Sequence, residues 1–597
     1  MANTLLDLFE KNPQLLEWRD KVTLLSRQLV MGFSGSSKAV VMASALSEQV
    51  PKILIVTSTQ NEAEQLTGDL SAILGEDKVY SFFTDDVVAA EFIFASPEKT
   101  HSRLESLNFL MDKESSGILV TSLVGTKLHL PNPEVYKDSR IDLTLGEEHD
   151  LEALSKHLTH IGYQRVEQVL SPGEFSRRGD ILDIYELTAE LPYRLEFFGD
   201  EIDGIRQFDS DSQKSLDNLE HIIVSPADDI ILTREDYQRA EKALESAVSK
   251  AEGPHKAYLE EVLSVTIDGY RHKDLRKFLS LFYDKAYTLF DYLPKGTPVF
   301  IDDFQKIVDR HGRLELEVAN LLTEDLHQGK SLSHLNYLVD SFKTLRNYQP
   351  ASFFSNFHKG LGNLKFDKLH QFTQYPMQEF FNQFPLLVDE IHRYTKNKAT
   401  VILQVGSEKQ LKSLKETLEE YDLDLSLSSF GDLMPHKPQL VLGNLSNGFY
   451  FADEKLVLVT EREIFHKKVK RRARASHVSN AERLKDYNEL EKGDYVVHQT
   501  HGIGQFKGIE TIEIKGVHRD YLTIQYQDAA TISLPVEQIE SLSKYVSADG
   551  KEPKINKLND GRFQKTKQKV SKQVEDIADD LLKLYAERSQ LKGFAFS

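Results

Sequence analysis

A glycine-rich stretch near the N-terminus has the register of a phosphate-binding loop, whose pattern G-x-x-x-x-G-K-[ST] cradles nucleotide phosphates just before a helix. The positions that match or replace this pattern are Gly32, Gly35, Ser37, Lys38 and Ala39. Ser37 stands where a second glycine would let the backbone wrap a phosphate, and Ala39 stands where a hydroxyl would bind Mg²⁺. Because a methyl group cannot coordinate magnesium, we predict a degenerate loop that hydrolyses no nucleotide.

Two acidic residues, Asp302 and Asp303, end an apolar strand predicted at residues 299–303. An intact nucleotide site carries an acidic box here, but its water-polarising glutamate is replaced by an aspartate. We therefore interpret both acids as loop residues without a nucleotide role, in a degenerate site retained as a scaffold. Lys38 and the N–H groups at the start of the following helix could still attract an anion weakly.

Other catalytic chemistry finds little support in the sequence. The chain has no cysteine, which excludes disulfides, thiolate zinc sites and cysteine nucleophiles. It contains no H-E-x-x-H, G-x-S-x-G, calcium-loop or dinucleotide-binding motif, and its 20 histidines are scattered. We expect no catalytic residue, no metal site and no cofactor in this chain.

The composition is that of a folded protein with several domains, with 597 residues of which 40% are hydrophobic and 28% charged. The net charge of −20 argues against a DNA-coating function, because phosphate binding requires accumulated lysine and arginine. The densest basic run, residues 466–474, we interpret as a solvated linker rather than a DNA-binding patch. Without a long apolar run or a signal-peptide layout, we expect a cytoplasmic protein, and a monomer.

Alternating strand and helix patterns predict a multidomain α/β protein. Residues 52–57 and 117–121 indicate buried strands of a parallel, RecA-like sheet around the degenerate P-loop, and short alternating strands indicate a small inserted α+β domain. A second small α/β domain, a Tudor/SH3-like β-barrel and a long C-terminal helix follow. The predicted boundaries are 1–130 for the first part of the P-loop domain, 131–215 for the insertion, 216–349 for the remainder of the P-loop domain, 350–462 for an α/β spacer domain of unknown role, 463–490 for the basic linker, 491–547 for the barrel and 548–597 for a linker and the long helix.

Several segments resemble a known family. Residues 163–166, 175–184 and 194–202 of the insertion are similar to the UvrA-binding domain shared by the repair helicase UvrB and the bacterial transcription-repair coupling factors. The embedding domain is similar to the coupling-factor version, since UvrB would keep an intact P-loop. Residues 493–498 and 501–504 resemble the RNA-polymerase-interaction domain of the same family, which is related to CarD. In order, these pieces correspond to about the first half of such a protein.

The resemblance implies that the insertion binds UvrA through a charged sheet face. Arg194 and Glu196 lie two apart on a predicted strand and so project from one side, while Leu195 and Phe197 would be buried. A planar guanidinium can make bidentate contacts with a partner carboxylate. The implied UvrA contacts are Arg165, Arg178, Arg194, Glu196 and Arg206. For each of them, an ordinary solvated sheet face is the alternative.

The resemblance also implies that the barrel contacts the polymerase β subunit. The residues concerned are Thr511, Ile512, Glu513 and Ile514, a predicted strand that a turn joins to residues 521–526. At the edge of a sheet, the free N–H and C=O groups of such a strand could pair with a strand of the partner. The resemblance makes Ile512 the apolar anchor, and the alternative is that Ile512 and Ile514 are core residues.

The function implied by the resemblance is transcription-coupled repair. The chain would be an adaptor that binds stalled RNA polymerase through the barrel and recruits the nucleotide-excision-repair protein UvrA through the insertion. The ATP-driven translocase of such a factor, which would use ATP and Mg²⁺ and supply most DNA contacts, is missing from this sequence, so we expect no enzymatic activity. Two alternatives stay open, namely an ATP-dependent helicase subunit of nucleotide excision repair and a CarD-like transcription regulator.

Overall fold

The computed structural model describes residues 4–9, 12–93, 97–210, 213–355, 361, 364–465, 492–498, 502–514, 517–527, 530–535, 542–544 and 555. The chain divides into two compact units, Met1–Val478 and Ser479–Ser597. The basic run at 466–474 and the long helix predicted within 548–597 lie outside the described residues. Over the described part of the chain, no helix is both long and apolar enough to cross a membrane.

The first unit is built from alternating helices and strands. Up to residue 144 they are α1 (Leu5–Phe9), α2 (Pro13–Asp20), β1 (Arg27–Met31), α3 (Ser36–Ala43), β2 (Lys52–Thr57), α4 (Gln60–Leu74), β3 (Val79–Phe82), α5 (Val88–Ile93), α6 (Pro97–Met111), β4 (Gly117–Ser122), α7 (Pro133–Asp138) and β5 (Ile141–Thr144). The insertion continues with α8 (Leu151–His160), β6 (Gln164–Arg165), β7 (Glu174–Arg178), β8 (Ile181–Ile184), β9 (Tyr193–Phe198), β10 (Glu201–Phe208), β11 (Ser215–Leu219) and β12 (His221–Val224).

The chain then returns to the first domain and enters a second α/β module. The returning elements are α9 (Arg234–Val248), α10 (Gly253–Ile267), α11 (Leu275–Phe282), α12 (Leu289–Tyr292), β13 (Val299–Asp302), α13 (Phe304–His327), α14 (Phe342–Asn347), β14 (Ala351–Ser355) and β15 (Lys368–Gln371). The second α/β module, residues 374–465, contains β16 (Gln374–Pro376), α15 (Phe384–Lys396), β17 (Thr400–Val405), α16 (Glu408–Glu419), β18 (Ser426–Ser428), β19 (Pro438–Leu442), β20 (Phe449–Phe451), β21 (Leu456–Val459) and α17 (Glu461–Phe465).

A seven-stranded parallel sheet of order β15-β1-β14-β13-β2-β4-β3 forms the first domain. Every residue of β2 and β4 is buried, because helices cover both faces of such a sheet, and this explains the unbroken apolar runs in the sequence. Helix α4 ends at Gly75, whose φ of 95° is a conformation that glycine adopts without strain. The predicted α/β fold with a large parallel sheet is confirmed.

The parallel sheet extends beyond residue 349, where the sequence prediction ends the first domain. Strand β14 lies between β1 and β13, and β15 pairs with β1 at the sheet edge. Chain order alone does not tell which of two neighbouring sheets a short strand joins. The structure therefore places this boundary after Gln371.

The insertion is a six-stranded sheet of order β11-β10-β9-β8-β7-β6. Its chain ends meet in a separate antiparallel ribbon of β5 and β12, in which Ile141 lies opposite Val224. The predicted range of 131–215 omits β11 and β12. Strand β11 is exposed along most of its length, so it lacks the apolar alternation that marks a half-buried strand in a sequence.

The second α/β module packs directly on the first domain. Its sheet has the order β16-β20-β21-β17-β19-β18, with β17, β18, β19 and β21 parallel. One hydrophobic core contains Phe33 and Val41 of the first domain together with Ile402, Val441 and Phe451 of the module. The module that the sequence predicts as a spacer thus shares a core with its neighbour.

The second unit contains a five-stranded antiparallel sheet of order β25-β24-β23-β22-β26. Its strands are β22 (Tyr495–His498), β23 (Gly502–Ile514), β24 (Val517–Gln525), β25 (Thr531–Pro535) and β26 (Leu542–Lys544). Val496, Phe506, Leu522 and Ile524 form its core. The small all-β module is present as predicted, and closure into a Tudor/SH3-like barrel stays a prediction.

Candidate functional site

The degenerate loop connects β1 to α3 and contains two glycines in positive-φ conformations, Gly32 at 98° and Gly35 at 57°. The Nζ atom of Lys38 lies 2.5 Å from Oδ1 of Asp302, and both side chains are largely buried. Ala39 is fully buried, so its methyl group meets packed protein. The structure thus brings the predicted lysine and acidic strand end together as an ion pair.

Asp303 has a structural task at the start of α13. Its φ of 54° is left-handed, and its carboxylate accepts a hydrogen bond from the N–H of Lys306 at 3.5 Å, which makes it the N-cap of the helix. This accounts for the second acid without a nucleotide. Within the described ranges, no group of three or more histidine, aspartate and glutamate side chains is arranged to hold a metal ion.

A buried carboxylate organises the charged face of the insertion. Asp183, on β8, has no exposed side-chain surface. Arg194 reaches it with two hydrogen bonds, from Nε to Oδ1 at 2.7 Å and from Nη2 to Oδ2 at 2.9 Å, and Arg178 adds a contact of 2.7 Å to Oδ2. The guanidinium of Arg194 also lies 4.4 Å from the ring centre of Phe208. The hydrogen bonds to Asp183 raise the pKa of Arg194 above its usual value.

The two arginines differ in how much surface they present. The Arg194 side chain is 13% exposed, whereas that of Arg178 is 50% exposed. Arg206 and Glu196 form a partly exposed ion pair of 3.2 Å on the neighbouring strands. On the opposite face, Leu195 and Phe197 are buried in the core of the insertion, as the alternation predicts.

Arg165 is not part of this cluster. It lies on β6, at the far edge of the sheet, three strands away from β9. Its register partner is Phe175, which is buried in the core of the insertion. The structure therefore gathers Arg178, Arg194 and the Arg206–Glu196 pair, and leaves Arg165 apart.

Phe198 is a surface residue that sequence reasoning missed. It is 82% exposed at the end of β9 and shares the face of Arg194 and Glu196, because alternate residues of a strand point the same way. The signal was present in the sequence, since the alternation that buries Phe197 must expose its neighbour. The buried Asp183 was also missed, and its signal is an acid within the apolar strand β8.

Strands β23 and β24 form a hairpin whose tip extends beyond the rest of the sheet. Thr511–Ile514 pairs with Val517–Asp520, whereas β22 pairs only with residues 502–505 of β23. Strand β25 in turn pairs only with residues 521–525 of β24. Among the described strands, the tip therefore has pairing partners only within the hairpin. The side chains of Ile512 and Ile514 lie outside the described part, so whether each is an anchor or a core residue stays a prediction.

Three family models match parts of the chain. "UvrB interaction domain" matches residues 141–229, "MFD, D3 domain" matches residues 394–464, and "CarD-like/TRCF RID domain" matches residues 490–546. The first match covers the inserted sheet with its ribbon, the second covers most of the second α/β module, and the third covers the five-stranded sheet.

Individual relatives extend the similarity over nearly the whole chain. The transcription-repair-coupling factor of Bacillus subtilis is 36% identical over 585 residues, which is 96% of this chain and 50% of that protein. Those of Staphylococcus haemolyticus and Staphylococcus aureus are 32% and 31% identical over 578 residues, which is 95% of this chain and 49% of each protein. The chain spans about half the length of the curated relatives it matches.

Proposed function

We propose a function on the premise that this chain is related to the transcription-repair-coupling factors, since it matches one of them at 36% identity over 96% of its own length. The family resemblance predicted from the sequence is thereby confirmed. The proposed function is transcription-coupled DNA repair, with this chain as a cytoplasmic, monomeric adaptor. One unit binds stalled RNA polymerase, and the other recruits the nucleotide-excision-repair protein UvrA.

The observation that carries this proposal is that the two segments matching interaction-domain models lie in different compact units. The segment that matches the UvrB interaction domain lies in the first unit, and the segment that matches the CarD-like domain lies in the second. Each module has its own core. An adaptor needs two such surfaces on one chain, each able to bind without the other.

The surface proposed for UvrA is the exposed end of the insertion's charged face, defined by Arg178, Glu196, Phe198 and Arg206. These side chains surround one exposed aromatic ring with charged groups of both signs. Exposed aromatic and arginine side chains are the commonest energetic centres of protein interfaces. Arg194, which is largely buried, supports this surface through its two hydrogen bonds to Asp183.

The surface proposed for the polymerase β subunit is the tip of the β23–β24 hairpin. Its outer backbone groups face no other described strand, which supports pairing with a strand of the partner. Residues 511–514, predicted from the resemblance, fall within this tip. Ile512 is proposed as the apolar anchor.

In this proposal the chain itself is not an enzyme. ATP and magnesium would belong to the translocase of the longer protein, which would also make most of the DNA contacts. Ala39, which stands where a magnesium-binding hydroxyl would be needed, speaks against the alternative of an ATP-dependent helicase subunit. The match of the first unit to the UvrB interaction domain speaks against a CarD-like regulator in which that unit is inert.

The test is a titration of the whole chain against purified UvrA and, separately, against the N-terminal region of the polymerase β subunit. The variant Arg178→Ala/Phe198→Ser should weaken UvrA binding about thirtyfold, since two central side chains are lost. Ile512→Ala should weaken polymerase binding alone. Asp217→Asn, an exposed change on β11, two strands from the β9 strand that carries Phe198, is the matched control for the insertion.

Selective loss of one partner by each variant supports a two-partner adaptor. If the unaltered chain binds no polymerase, the coupling function is excluded. If it binds polymerase but no UvrA, the recruitment half of the proposal fails while the polymerase half stands.

A further inference from the structure

One contact between the degenerate loop and the second α/β module is made by the side chain of Gln374. The N–H of Ser34 donates a hydrogen bond to Oε1 of Gln374 at 2.8 Å, and the hydroxyl of Ser37 lies 2.8 Å from the same oxygen. Gln374 is the first residue of β16, the edge strand of the module's sheet. In an intact phosphate-binding loop, N–H and hydroxyl groups of this region point at phosphate oxygens. Here they meet a carboxamide oxygen of the same chain.

A second set of hydrogen bonds lies at the start of α3. Ser36 accepts a hydrogen bond from the N–H of Asn447 at 2.9 Å and donates one to Oδ2 of Asp69 at 2.9 Å. The other oxygen of Asp69 accepts from the N–H of Ser446 at 2.9 Å. Ser36 and Asp69 are both buried. The module thus reaches the loop from two directions, at Gln374 and at residues 446–447.

The two loop glycines are required by this contact. A Cβ atom at Gly32 would lie 2.0 Å from the carbonyl oxygen of Phe372, and one at Gly35 would lie 3.0 Å from Cβ of Asn447. Both also have positive φ. Gly32 therefore allows the backbone at Phe372, just before the second module, to approach, and Gly35 leaves room for the Asn447 side chain, which is a reason to keep both glycines that is independent of nucleotide chemistry.

Aromatic packing continues the same contact into the core. The ring of Phe33, within the loop, lies 4.6 Å from that of Phe372 and 5.6 Å from that of Phe451. Lys38, the remaining cation of the loop, is paired with Asp302. The N–H of Ser34, the hydroxyl of Ser37 and the Lys38 ammonium thus each have a partner within the chain.

We propose that the degenerate loop is a docking socket for the second α/β module, with the Gln374 side chain as its internal ligand in place of a phosphate. The socket comprises residues 32–38, and the docked surface comprises residues 372–374 and 446–447. Its role is to hold the two α/β parts in one arrangement without any bound nucleotide.

The experiment is hydrogen exchange of the whole chain, read by mass spectrometry, for Gln374→Ala and for Gln371→Ala as the matched control. Gln371 is an exposed glutamine three residues away on β15. Gln374→Ala should speed exchange about tenfold in peptides covering 32–38 and 444–449, since neutral hydrogen bonds across the contact are lost. Peptides of the insertion should not change, and Gln371→Ala should behave as the unaltered chain.

Two further measurements test the socket, namely the additivity of two substitutions and the effect of phosphate on the Tm. The effects of Ser37→Ala and Gln374→Ala on loop exchange should not add, because both remove one contact, and additive effects would overturn the socket. Millimolar inorganic phosphate should not change the Tm of the unaltered chain. A Tm that rises with phosphate, together with unchanged loop exchange in Gln374→Ala, would show that the loop still serves an anion.

Discussion

Asp183 shows how two arginines of one predicted set acquire different tasks. Arg194 makes two hydrogen bonds to this buried carboxylate and covers the ring of Phe208, while Arg178 makes one and remains half exposed. Removing the main partner of a buried charge leaves that charge uncompensated, which costs far more than removing a surface contact. Arg194 therefore stabilises the fold, Arg178 has the larger exposed surface, and a contact of either with UvrA stays a prediction.

Arg194→Ala should destabilise the chain by about 3–5 kcal/mol, because Asp183 then keeps only a half-exposed partner in a buried setting. Arg178→Ala should cost about 1 kcal/mol or less, since it removes one exposed group. Urea unfolding followed by the signal of the insertion measures both. Equal effects of the two substitutions would contradict the distinction.

At the residue scale, the phase of β9 was predictable and the partner of Arg194 was not. Alternation along one strand is enough to bury Leu195 and Phe197. The contact with Asp183 depends on the register of β8 against β9, which places Asp183 opposite Arg194, 11 positions along the chain. Local sequence does not encode that register, so Arg194 reads as a surface residue.

At the scale of secondary-structure elements, the tip of the β23–β24 hairpin has backbone groups that point away from the hairpin. Two residues separate Ile514 from Val517. In a hairpin with a two-residue loop, the pair that flanks the loop is hydrogen-bonded, and hydrogen-bonded and non-hydrogen-bonded pairs alternate along the strands from there. The backbone groups of Ile512 and Ile514 then point to β24, and those of Thr511 and Glu513 point outward. A partner strand would use the outward set.

Glu513→Pro should weaken binding to the polymerase β subunit at least about tenfold while the hairpin stays folded, because it removes an outward N–H only. Ile512→Pro should disrupt the hairpin itself, since that N–H pairs with β24. Amide NMR spectra distinguish the two variants, and a titration measures affinity. Unchanged affinity in a folded Glu513→Pro variant would exclude pairing at this edge.

Helices of the first domain hold the end of the insertion through a second buried carboxylate. Asp229 is 1% exposed and lies 3.0 Å from Arg103 of α6 and 2.5 Å from Arg276 of α11. Burial alone would raise the pKa of Asp229, but the charges of Arg276 and Arg103 lower it well below its usual value.

Asp229→Asn should lower the free energy of unfolding by about 3–5 kcal/mol at neutral pH, because Arg103 loses its buried counter-charge. A carboxyl whose pKa is lowered by folding contributes stability above its unfolded pKa of about 3.9, and this contribution is lost as the pH falls below that value. The difference between the variant and the unaltered chain should therefore shrink on acidification. A difference that is constant with pH would refute the ionic role.

At the scale of the whole molecule, the shared core ties the second α/β module to the degenerate loop. The sequence was sufficient to find strands such as β2, β4 and β17, since these runs are apolar and buried along their whole length. It was not sufficient to assign β14 and β15 to a sheet or to place Gln374 against Ser34. Both assignments depend on contacts between segments more than 300 residues apart, such as that of Ser34 with Gln374, which are 340 positions apart in the chain.

MgATP should neither raise the Tm of this chain nor be hydrolysed by it. A ligand at one hundred times its Kd would stabilise the fold by about 2.7 kcal/mol, so even modest binding would be visible by calorimetry. The double change Ser37→Gly/Ala39→Thr should not restore hydrolysis, because Asp303 still stands where the water-polarising glutamate would be needed. Hydrolysis in that variant, set against an inactive unaltered chain, would show that the two side chains alone had silenced the site.

The ribbon of β5 and β12 brings the two ends of the insertion together. Ile141 and Val224 lie opposite each other, so the points of entry and exit are only about 5 Å apart. An ancestral gene could gain or shed residues 141–224 by joining neighbouring chain ends, and every strand of the parallel sheet would keep its place. The insertion and the domain that carries it can then change in sequence at separate rates, because the chain passes between them only at this ribbon.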